Sequence, residues 1–286
     1  MADITPQLVK QLREKTGAGM GDCKKALVDA NGDMEEAIEI LRKKGAASAA
    51  KRSERSAQEG VIIAKSSEDG HNAAIVEVNS ETDFVARNQE FVNYADILAD
   101  AILNNEVKSE EDLMKVSVGN DTIQGLHNEI LAKFSENIQI RRFERFTTGG
   151  YFTDYVHAGN KLAVILEVSE SGLTDNAKTM IRDIAMQVAA MNPSFVTPEE
   201  VPDDVKEKEK ALYRQQAIDE GKKEDIADRI AEGKLNKFYQ EECLVKQAFV
   251  KEPKKNVSDV LKEISDEIGK ELKIVRFRRY YLGEED

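Results

Sequence analysis

The chain has 286 residues, which is long enough for two or three domains that each bury a core. Its 41 basic residues are outnumbered by 54 acidic ones, and the formal net charge of −13 argues against direct binding of nucleic acid or of an anionic membrane surface. Two cysteines without a CxxC motif favour neither a disulfide framework nor a metal site, and no apolar run approaches the ~20 residues of a membrane span. We therefore expect a cytoplasmic protein that uses no cofactor and no metal and whose partner is another protein.

The first segment carries the signals of a small helical module. A first helix is predicted with Thr5 as its N-cap and Pro6 in its first position, and it should end at Gly17. A second helix should be capped by Asp22. Both helices are short, so this part of the chain needs further helices to build a core.

A third helix should begin with a capping box of Asp33 and Glu36 and end at Gly45. The segment Ala46 to Gln58 is rich in alanine, serine and arginine without an apolar stripe, and we interpret it as a solvated helical linker. Residues 1–55 are therefore predicted to form a three-helix module with its linker, of marginal stability on its own.

From Gly60 onward the hydrophobic period changes to that of strands, and Glu68-Asp69-Gly70 has the composition of a hairpin turn. The predicted elements are strands at 61–64 and 74–78, helices at 88–103 and 123–134, and a third strand at 138–146. Residues 56–146 are thus predicted to form a first α+β unit, in which a small antiparallel sheet carries helices on one face.

The second half of the chain repeats the first. A shift of 90 positions aligns Gly60, Ala73, Ile75, Glu77, Val78, Ala95 and Ala99 with Gly150, Ala163, Ile165, Glu167, Val168, Ala185 and Ala189. A shift of 134 positions aligns Glu129, Ile130, Ile140, Arg142, Phe143 and Arg145 with Glu263, Ile264, Ile274, Arg276, Phe277 and Arg279. Because the identities are few, two β-β-α units that merely share a pattern are the alternative to a duplication.

The two shifts differ by 44 residues, which predicts an insertion in the second copy. The second unit should contain strands at 151–156 and 162–168, helices at 175–191 and 257–268, and a strand at 272–281. Residues 147–202 and 239–286 are assigned to this unit and a C-terminal module. The inserted residues 203–238 are dense in charge, with a thin apolar stripe, and predict an antiparallel helical hairpin. The stripe comprises Val205, Leu212, Ile226 and Ile230.

Two segments have a composition that is typical of binding sites. The segment Gly17-Ala18-Gly19-Met20-Gly21 follows a helix rather than a strand, so it predicts a tight turn that exposes Met20 for a protein contact, with packing inside the module as the alternative. The strands at 141–146 and 276–281 combine arginines with aromatic residues, as in sheets on which bases stack. Because the pattern recurs in both copies of an acidic protein, we expect aromatic side chains inward and arginines outward.

The copies differ in the loop after the second strand of each unit. The first copy has Thr82-Asp83-Phe84-Val85 where the second has Gly172-Leu173-Thr174-Asp175. A phenylalanine beside a carboxylate in a loop predicts contact with another molecule, although Phe84 could instead be a buried staple for the next helix. His157 lies at a predicted hairpin tip and is a second candidate. An acid–base pair of Asp83 and His157 is a further alternative, but no nucleophile or cofactor motif accompanies it, so we expect no catalytic residue.

Seven motifs follow one another along the chain in a distinctive order. They are Leu12-Arg13-Glu14-Lys15-Thr16-Gly17-Ala18-Gly19-Met20, Asp22-Cys23-Lys24-Lys25-Ala26-Leu27, Asn31-Gly32-Asp33, Thr82-Asp83-Phe84-Val85-Ala86, Tyr155-x-His157, Glu232-Gly233-Lys234-Leu235-Asn236-Lys237-Phe238 and Phe249-Val250-Lys251-Glu252-Pro253. In these motifs the chain resembles the bacterial elongation factor Ts family, the nucleotide exchange factors of elongation factor Tu. The resemblance covers essentially the whole length.

The resemblance implies a ubiquitin-associated-like N-terminal module, a duplicated core and an inserted helical hairpin. It also implies elongation factor Tu as the partner, which alone binds the nucleotide and Mg²⁺. By resemblance Thr82, Asp83, Phe84 and Val85 displace Mg²⁺ and disturb the nucleotide site, while Arg13, Met20 and His157 bind the partner elsewhere. The implied activity is release of GDP and exchange for GTP in translation elongation, without covalent chemistry. A passive protein-binding scaffold is the alternative.

Overall fold

The computed structural model describes residues 4–52 and 55–284, so Ser53 and Glu54 of the predicted linker lie outside the described residues. Within this part the chain forms eleven α-helices and ten β-strands in a mixed α+β arrangement, as predicted. No helix in the described ranges is both long and apolar enough to cross a membrane.

The N-terminal module consists of three helices, α1 (Pro6–Thr16), α2 (Met20–Asp29) and α3 (Met34–Arg52). As predicted, the Thr5 hydroxyl caps α1 by accepting a hydrogen bond from the N–H of Leu8 (3.2 Å). Gly17 ends the helix in the left-handed conformation, at φ 69°. The carboxylate of Asp33 caps α3 by accepting from the N–H of Glu36 (2.8 Å). The local capping signals therefore place the starts of both helices.

The predicted cap of α2 is wrong. The helix begins at Met20, two residues before Asp22, because the carbonyl of Gly19 already accepts a hydrogen bond from the N–H of Cys23 (2.9 Å). Asp22 instead lies in the first turn, where the helix dipole favours a carboxylate, and it forms an ion pair with Lys44 of α3.

The first core unit is a three-stranded antiparallel sheet with helices on one face. Its elements are β1 (Glu59–Ser66), β2 (Asn72–Ser80), α4 (Asp83–Ala86), α5 (Gln89–Asn104), α6 (Glu110–Met114), β3 (Ser117–Val118), β4 (Asp121–Thr122), α7 (Ile123–Lys133) and β5 (Gln139–Thr147). The strand order is β1-β2-β5. The predicted β1–β2 hairpin, α5, α7 and β5 are confirmed, whereas the short elements α4, α6, β3 and β4 were not predicted.

The second core unit repeats this arrangement. Its elements are β6 (Tyr151–Val156), β7 (Leu162–Val168), α8 (Asp175–Met191), α9 (Asp203–Asp219), α10 (Glu224–Glu242), β8 (Ala248–Phe249), β9 (Glu252–Asn256), α11 (Val257–Ile268) and β10 (Ile274–Tyr281). Its sheet has the order β6-β7-β10, which matches β1-β2-β5 strand for strand. The bounds of α8 and α11 agree with the prediction, whereas β8 and β9 were missed.

A buried ion pair marks the same position in both sheets and confirms the duplication. Glu77 accepts a hydrogen bond from Nε of Arg142 (2.8 Å), and Glu167 accepts one from Nε of Arg276 (2.6 Å). Both glutamates are buried, and an irregularity in strand register lies next to each pair. The aligned glutamates and arginines of the sequence repeat therefore pair in the same way in three dimensions.

The two sheets pack face to face through the sides that carry no helices. This inner cluster comprises Ile62, Ala64, Ala73 and Ile75 of the first unit and Phe152, Ala163, Ile165 and Tyr280 of the second. Equivalent small residues, Ala73 and Ala163, both lie in it, so the sheets approach closely. The core is thus helix, sheet, sheet and helix in four layers.

The expectation that the aromatic side chains point inward is wrong for Tyr281, which is 46% exposed. The expectation that the arginines point outward is wrong for Arg279, whose side chain is 13% exposed, and for Arg142. The side chain of Arg142 is largely buried, and its guanidinium lies over the ring of Tyr280, 4.0 Å from the centroid. The physical reason is the buried carboxylate of Glu77, because a carboxylate removed from water is destabilising unless a cation is paired with it. Arg276 of the second unit is about half exposed, as expected.

The inserted hairpin is formed by α9 and α10, as predicted, but its seam is not the predicted stripe. The buried residues between the helices are Ala217, Ala227, Ala231 and Leu235. Leu212 is 51% exposed and Ile226 is 43% exposed. Alanines let two helices approach closely, and here three alanines and Leu235 form the contact.

Gly45 does not end α3, contrary to the prediction. The helix continues to Arg52, and Gly45 is buried against α7, where an added Cβ would lie 2.8 Å from Cα of Ala132. Nearby, Arg42 pairs with Asp121 (3.2 Å) and with Glu129. The glycine therefore allows a close approach between the N-terminal module and the first core unit.

Candidate functional site

The loop singled out in the first copy forms a short, well-anchored turn, which we call the Phe84 turn (residues 82–86). It lies between β2 and α5 and contains α4. The hydroxyl of Thr82 accepts a hydrogen bond from the N–H of Val85 (3.4 Å), and Val85 is 8% exposed within the core of the first unit. The polar cap and the buried valine both hold the turn in place.

A glutamate distant in sequence also holds the Phe84 turn. Glu136, between α7 and β5, accepts hydrogen bonds from the N–H of Thr82 (3.0 Å) and from its hydroxyl (2.6 Å). The sequence analysis missed Glu136, because the contact joins residues 54 positions apart and no local pattern announces it. Only the sheet topology, which places β5 beside β2, brings the two together.

Phe84 is the most exposed large apolar side chain among the described residues, at 84%. The interpretation of Phe84 as a buried staple is wrong, since Val85 is the residue of this turn that enters the core. An aromatic ring held in solvent on an anchored turn is typical of a contact residue, because aromatic anchors bury a large area at a small entropic cost.

Asp83 lies beside Phe84 and remains accessible. Its carboxylate pairs with Arg87 one turn later (3.1 Å), and its side chain is 39% exposed. An exposed pair of this kind contributes at most about 1 kcal/mol, so it is easily exchanged for contacts with a partner. Arg87 was not predicted, although its spacing of four residues from an aspartate is a recognisable helical pairing signal.

His157 lies exposed at the tip of the β6–β7 hairpin, as predicted, with Nδ1 2.8 Å from the hydroxyl of Tyr155. This tip and the Phe84 turn are at the same end of the sheets. Glu59 of β1 pairs with Ser80 of β2, and its carboxylate accepts a hydrogen bond from Lys161 next to the tip (2.9 Å). Asp83 and His157 each have another partner, so these contacts give the acid–base interpretation no support.

The N-terminal module presents its two candidate residues on its surface. Met20 is the first residue of α2 and is 48% exposed, and Arg13 is exposed on α1. The turn between these helices exposes Met20, in agreement with the sequence analysis. That either residue binds a partner stays a prediction.

Burial shifts the pKa of several groups in the cores. Burial lowers the pKa of His127 to about 4, and its Nδ1 lies 2.6 Å from the hydroxyl of Tyr94. Burial also raises the pKa of Cys243 to about 11 and that of Cys23, so neither thiol is activated. In the parts of the chain that the structure covers, no group of three or more histidine, cysteine, aspartate or glutamate residues could hold a metal.

Comparison with known proteins finds relatives that share one family name. A family model described as elongation factor TS matches residues 81–284 and so begins immediately before the Phe84 turn. The chain is 46% identical over 292 residues to an elongation factor Ts of Aquifex aeolicus, with 98% of each chain covered. It is 44% identical over 283 residues to one of Clostridium perfringens, covering 98% of this chain and 93% of the relative. It is also 44% identical over 289 residues to one of Chloroherpeton thalassium, covering 99% and 100%.

Proposed function

The chain belongs to the elongation factor Ts family, and on that premise we propose that it binds elongation factor Tu and promotes release of GDP so that GTP can bind. The observation that carries the proposal is Phe84, a fully presented aromatic ring on an anchored turn. The protein would work in the cytoplasm as an exchange factor and make or break no covalent bond. Nucleotide and Mg²⁺ would both be bound by the partner.

Exchange requires a coupling free energy between two binding events. If this protein weakens nucleotide binding to the partner by some factor, nucleotide must weaken the binding of this protein by the same factor. The protein must therefore bind a partner conformation that the nucleotide and Mg²⁺ disfavour. A rigid element that enters the partner near the nucleotide site would bind this conformation more tightly than the nucleotide-bound one.

We assign the role of that element to the Phe84 turn. The ring of Phe84 would insert into the GTPase domain of the partner, and the carboxylate of Asp83 would disturb the groups that hold Mg²⁺. Val85 supports this by tying the turn to the core, and Thr82 by capping α4. A turn anchored in this way would displace groups of the partner rather than be displaced by them.

The remaining candidate residues would contribute affinity for the partner. Arg13 and Met20 would bind the same domain of the partner from the N-terminal module, and His157 would bind a different domain. Met20 suits such a contact because its flexible thioether adapts to an apolar surface. The His157 tip and the Phe84 turn both lie at the end of the sheets near Glu59, which supports contact of one partner with both.

The test is the release of labelled GDP from elongation factor Tu with and without this protein. We expect the protein to accelerate release and Phe84→Ala to remove most of the acceleration, since truncating an interface anchor costs on the order of 2 kcal/mol. That cost corresponds to roughly 30-fold in rate. Leu212→Ala, at an exposed apolar residue of the hairpin, is the matched control and should release GDP at the normal rate.

Each rival has its own outcome in this assay. A passive scaffold would bind elongation factor Tu and leave the rate of GDP release unchanged. An enzyme that used Asp83 and His157 would turn over a substrate without the partner. Either result would overturn the proposal.

A further inference from the structure

We propose that Glu136 is a positioning residue, which holds the Phe84 turn in its exposed conformation before the partner arrives. The proposal rests on the proposed function of that turn. It concerns a residue that binds Thr82, the N-cap of the short helix that carries Asp83 and Phe84.

Glu136 binds Thr82 through both of its carboxylate oxygens. Each carboxylate oxygen of Glu136 accepts one hydrogen bond from Thr82, one from the N–H and one from the hydroxyl. The same hydroxyl oxygen accepts a hydrogen bond from the N–H of Val85, so a chain of hydrogen bonds connects Glu136 to the first turn of α4. Hydrogen bonds to a charged acceptor are about twice as strong as neutral ones.

A second hydrogen bond joins the same two segments with the donor and the acceptor exchanged. The carboxylate of Glu81 accepts a hydrogen bond from the N–H of Asn137 (2.6 Å), and Asn137 donates through its side chain to the carbonyl of Arg55 (2.7 Å). Residues 81–82 and 136–137 are therefore linked reciprocally. The segment before β5 therefore holds the start of the Phe84 turn in place.

The second core unit contains the same kind of contact without the exposed aromatic ring. The hydroxyl of Thr174 caps α8 by accepting the N–H of Ala177 (3.0 Å) and donates to Glu267. The second oxygen of Glu267 accepts from the side chain of Asn176 (2.7 Å) rather than from the backbone. Glu267 thus provides a matched internal control, a glutamate on a threonine N-cap with no candidate contact residue beside it.

Preorganisation predicts a specific kinetic effect. If the turn adopts the binding conformation only part of the time, the apparent affinity for the partner falls by that fraction. Saturating concentrations of the factor then restore the rate, because Phe84 is still present. We expect Glu136→Ala to raise the factor concentration at half-maximal GDP release about tenfold and to leave the plateau unchanged.

The test combines two measurements on the full chain. Amide hydrogen exchange of the free protein at Thr82 and Val85 reports the order of the turn without the partner. GDP release from elongation factor Tu, titrated with the factor, reports the midpoint and the plateau. The variants are Glu136→Ala, Glu136→Gln and the control Glu267→Ala. Glu136→Gln retains the shape and one carbonyl acceptor, so its amide exchange and midpoint should be intermediate.

The proposal predicts faster amide exchange at Thr82 and Val85 together with a raised midpoint for Glu136→Ala, and neither effect for Glu267→Ala. Faster amide exchange with an unchanged midpoint, or a lowered plateau, would overturn it. If Glu136→Ala lowers the cooperative stability of the whole unit, Glu136→Gln decides by the same two criteria. Failure of the wild-type protein to accelerate release would instead reject the proposed function, which this design separates from a failure of positioning.

Discussion

The turn after the second strand differs between the two core units, while the scaffold around it is the same. Both units share the strand order, the buried glutamate–arginine pair and a threonine N-cap bound by a glutamate. In the first unit the turn presents Phe84, which is 84% exposed. In the second unit the turn contains Leu173, which is 8% exposed and packs in the core.

This difference separates the features that stabilise the fold from one that does not. The shared features all stabilise the sheets or cap a helix, and they need no partner to explain them. The exposed ring stabilises nothing in its own unit, so it requires an explanation outside the chain. The functional hypothesis therefore rests on the one place where the copies depart from common packing.

The largest effect is expected at the buried ion pair. Arg142→Ala removes the closer arginine from the buried Glu77, and Arg141 remains with its Nε 3.9 Å away. Breaking such a pair costs about 3–5 kcal/mol of unfolding free energy. The equivalent Arg276→Ala should cost less, because Arg276 is half exposed. Urea unfolding of both variants measures the difference, and equal losses would contradict the view that the first pair is the more deeply buried one.

Next in size is the contrast between the two turns. Leu173→Ala should lower the unfolding free energy by about 2–5 kcal/mol, as for other buried leucines, and leave GDP release normal. Phe84→Ala should change stability by less than about 0.5 kcal/mol, as exposed positions do, and slow the release. Thermal melts and GDP release assays on both variants measure these effects. A lowered melting temperature with normal GDP release for Phe84→Ala would contradict the assignment of Phe84 as a contact residue.

The close approach at Gly45 predicts a smaller effect. Gly45→Ala would place a Cβ against the backbone of Ala132, so it should destabilise the contact between module and core by about 1–3 kcal/mol. In an isolated helix the same change would be stabilising. Gly21→Ala, which has open space around it, is the control. A higher melting temperature for Gly45→Ala would show that the module is not held at this contact.

The smallest effect is expected from the inserted hairpin, whose assignment as residues 203–238 stays a prediction. Its buried seam lies between its own two helices. Replacing it with a short linker should leave a protein that still unfolds cooperatively. Loss of the cooperative transition in calorimetry would show that the hairpin belongs to the core.

Local signals in the sequence predict much of the fold. Thr5 and Gly17 bound α1 because capping depends on neighbouring residues, and the repeat at Glu77 and Glu167 reveals the duplicated sheets. The errors have a common cause. Gly45 looks like a helix stop, but its role is set by a contact with a helix some 90 residues away, which no local pattern contains.

The candidate site also contains residues that the sequence predicts and residues that it does not. Phe84 could be singled out because the copies disagree there, yet the sequence left open whether it was buried. The structure resolves this through Val85, which occupies the core position. Glu136 and its contact with Thr82 could not be predicted, because strand pairing across the sheet is needed to bring them together.

We expect Asp83 and Phe84 to set the maximal rate of GDP release, and Arg13 and Met20 to contribute affinity for the partner. The most direct test is GDP release from elongation factor Tu measured against factor concentration for two double variants. Asp83→Ala with Phe84→Ala should lower the plateau even at saturation. Arg13→Ala with Met20→Ala should raise the midpoint and reach the normal plateau, because mass action offsets lost affinity. A lowered plateau for the Arg13 and Met20 variant, with only a shifted midpoint for the Asp83 and Phe84 variant, would contradict the account.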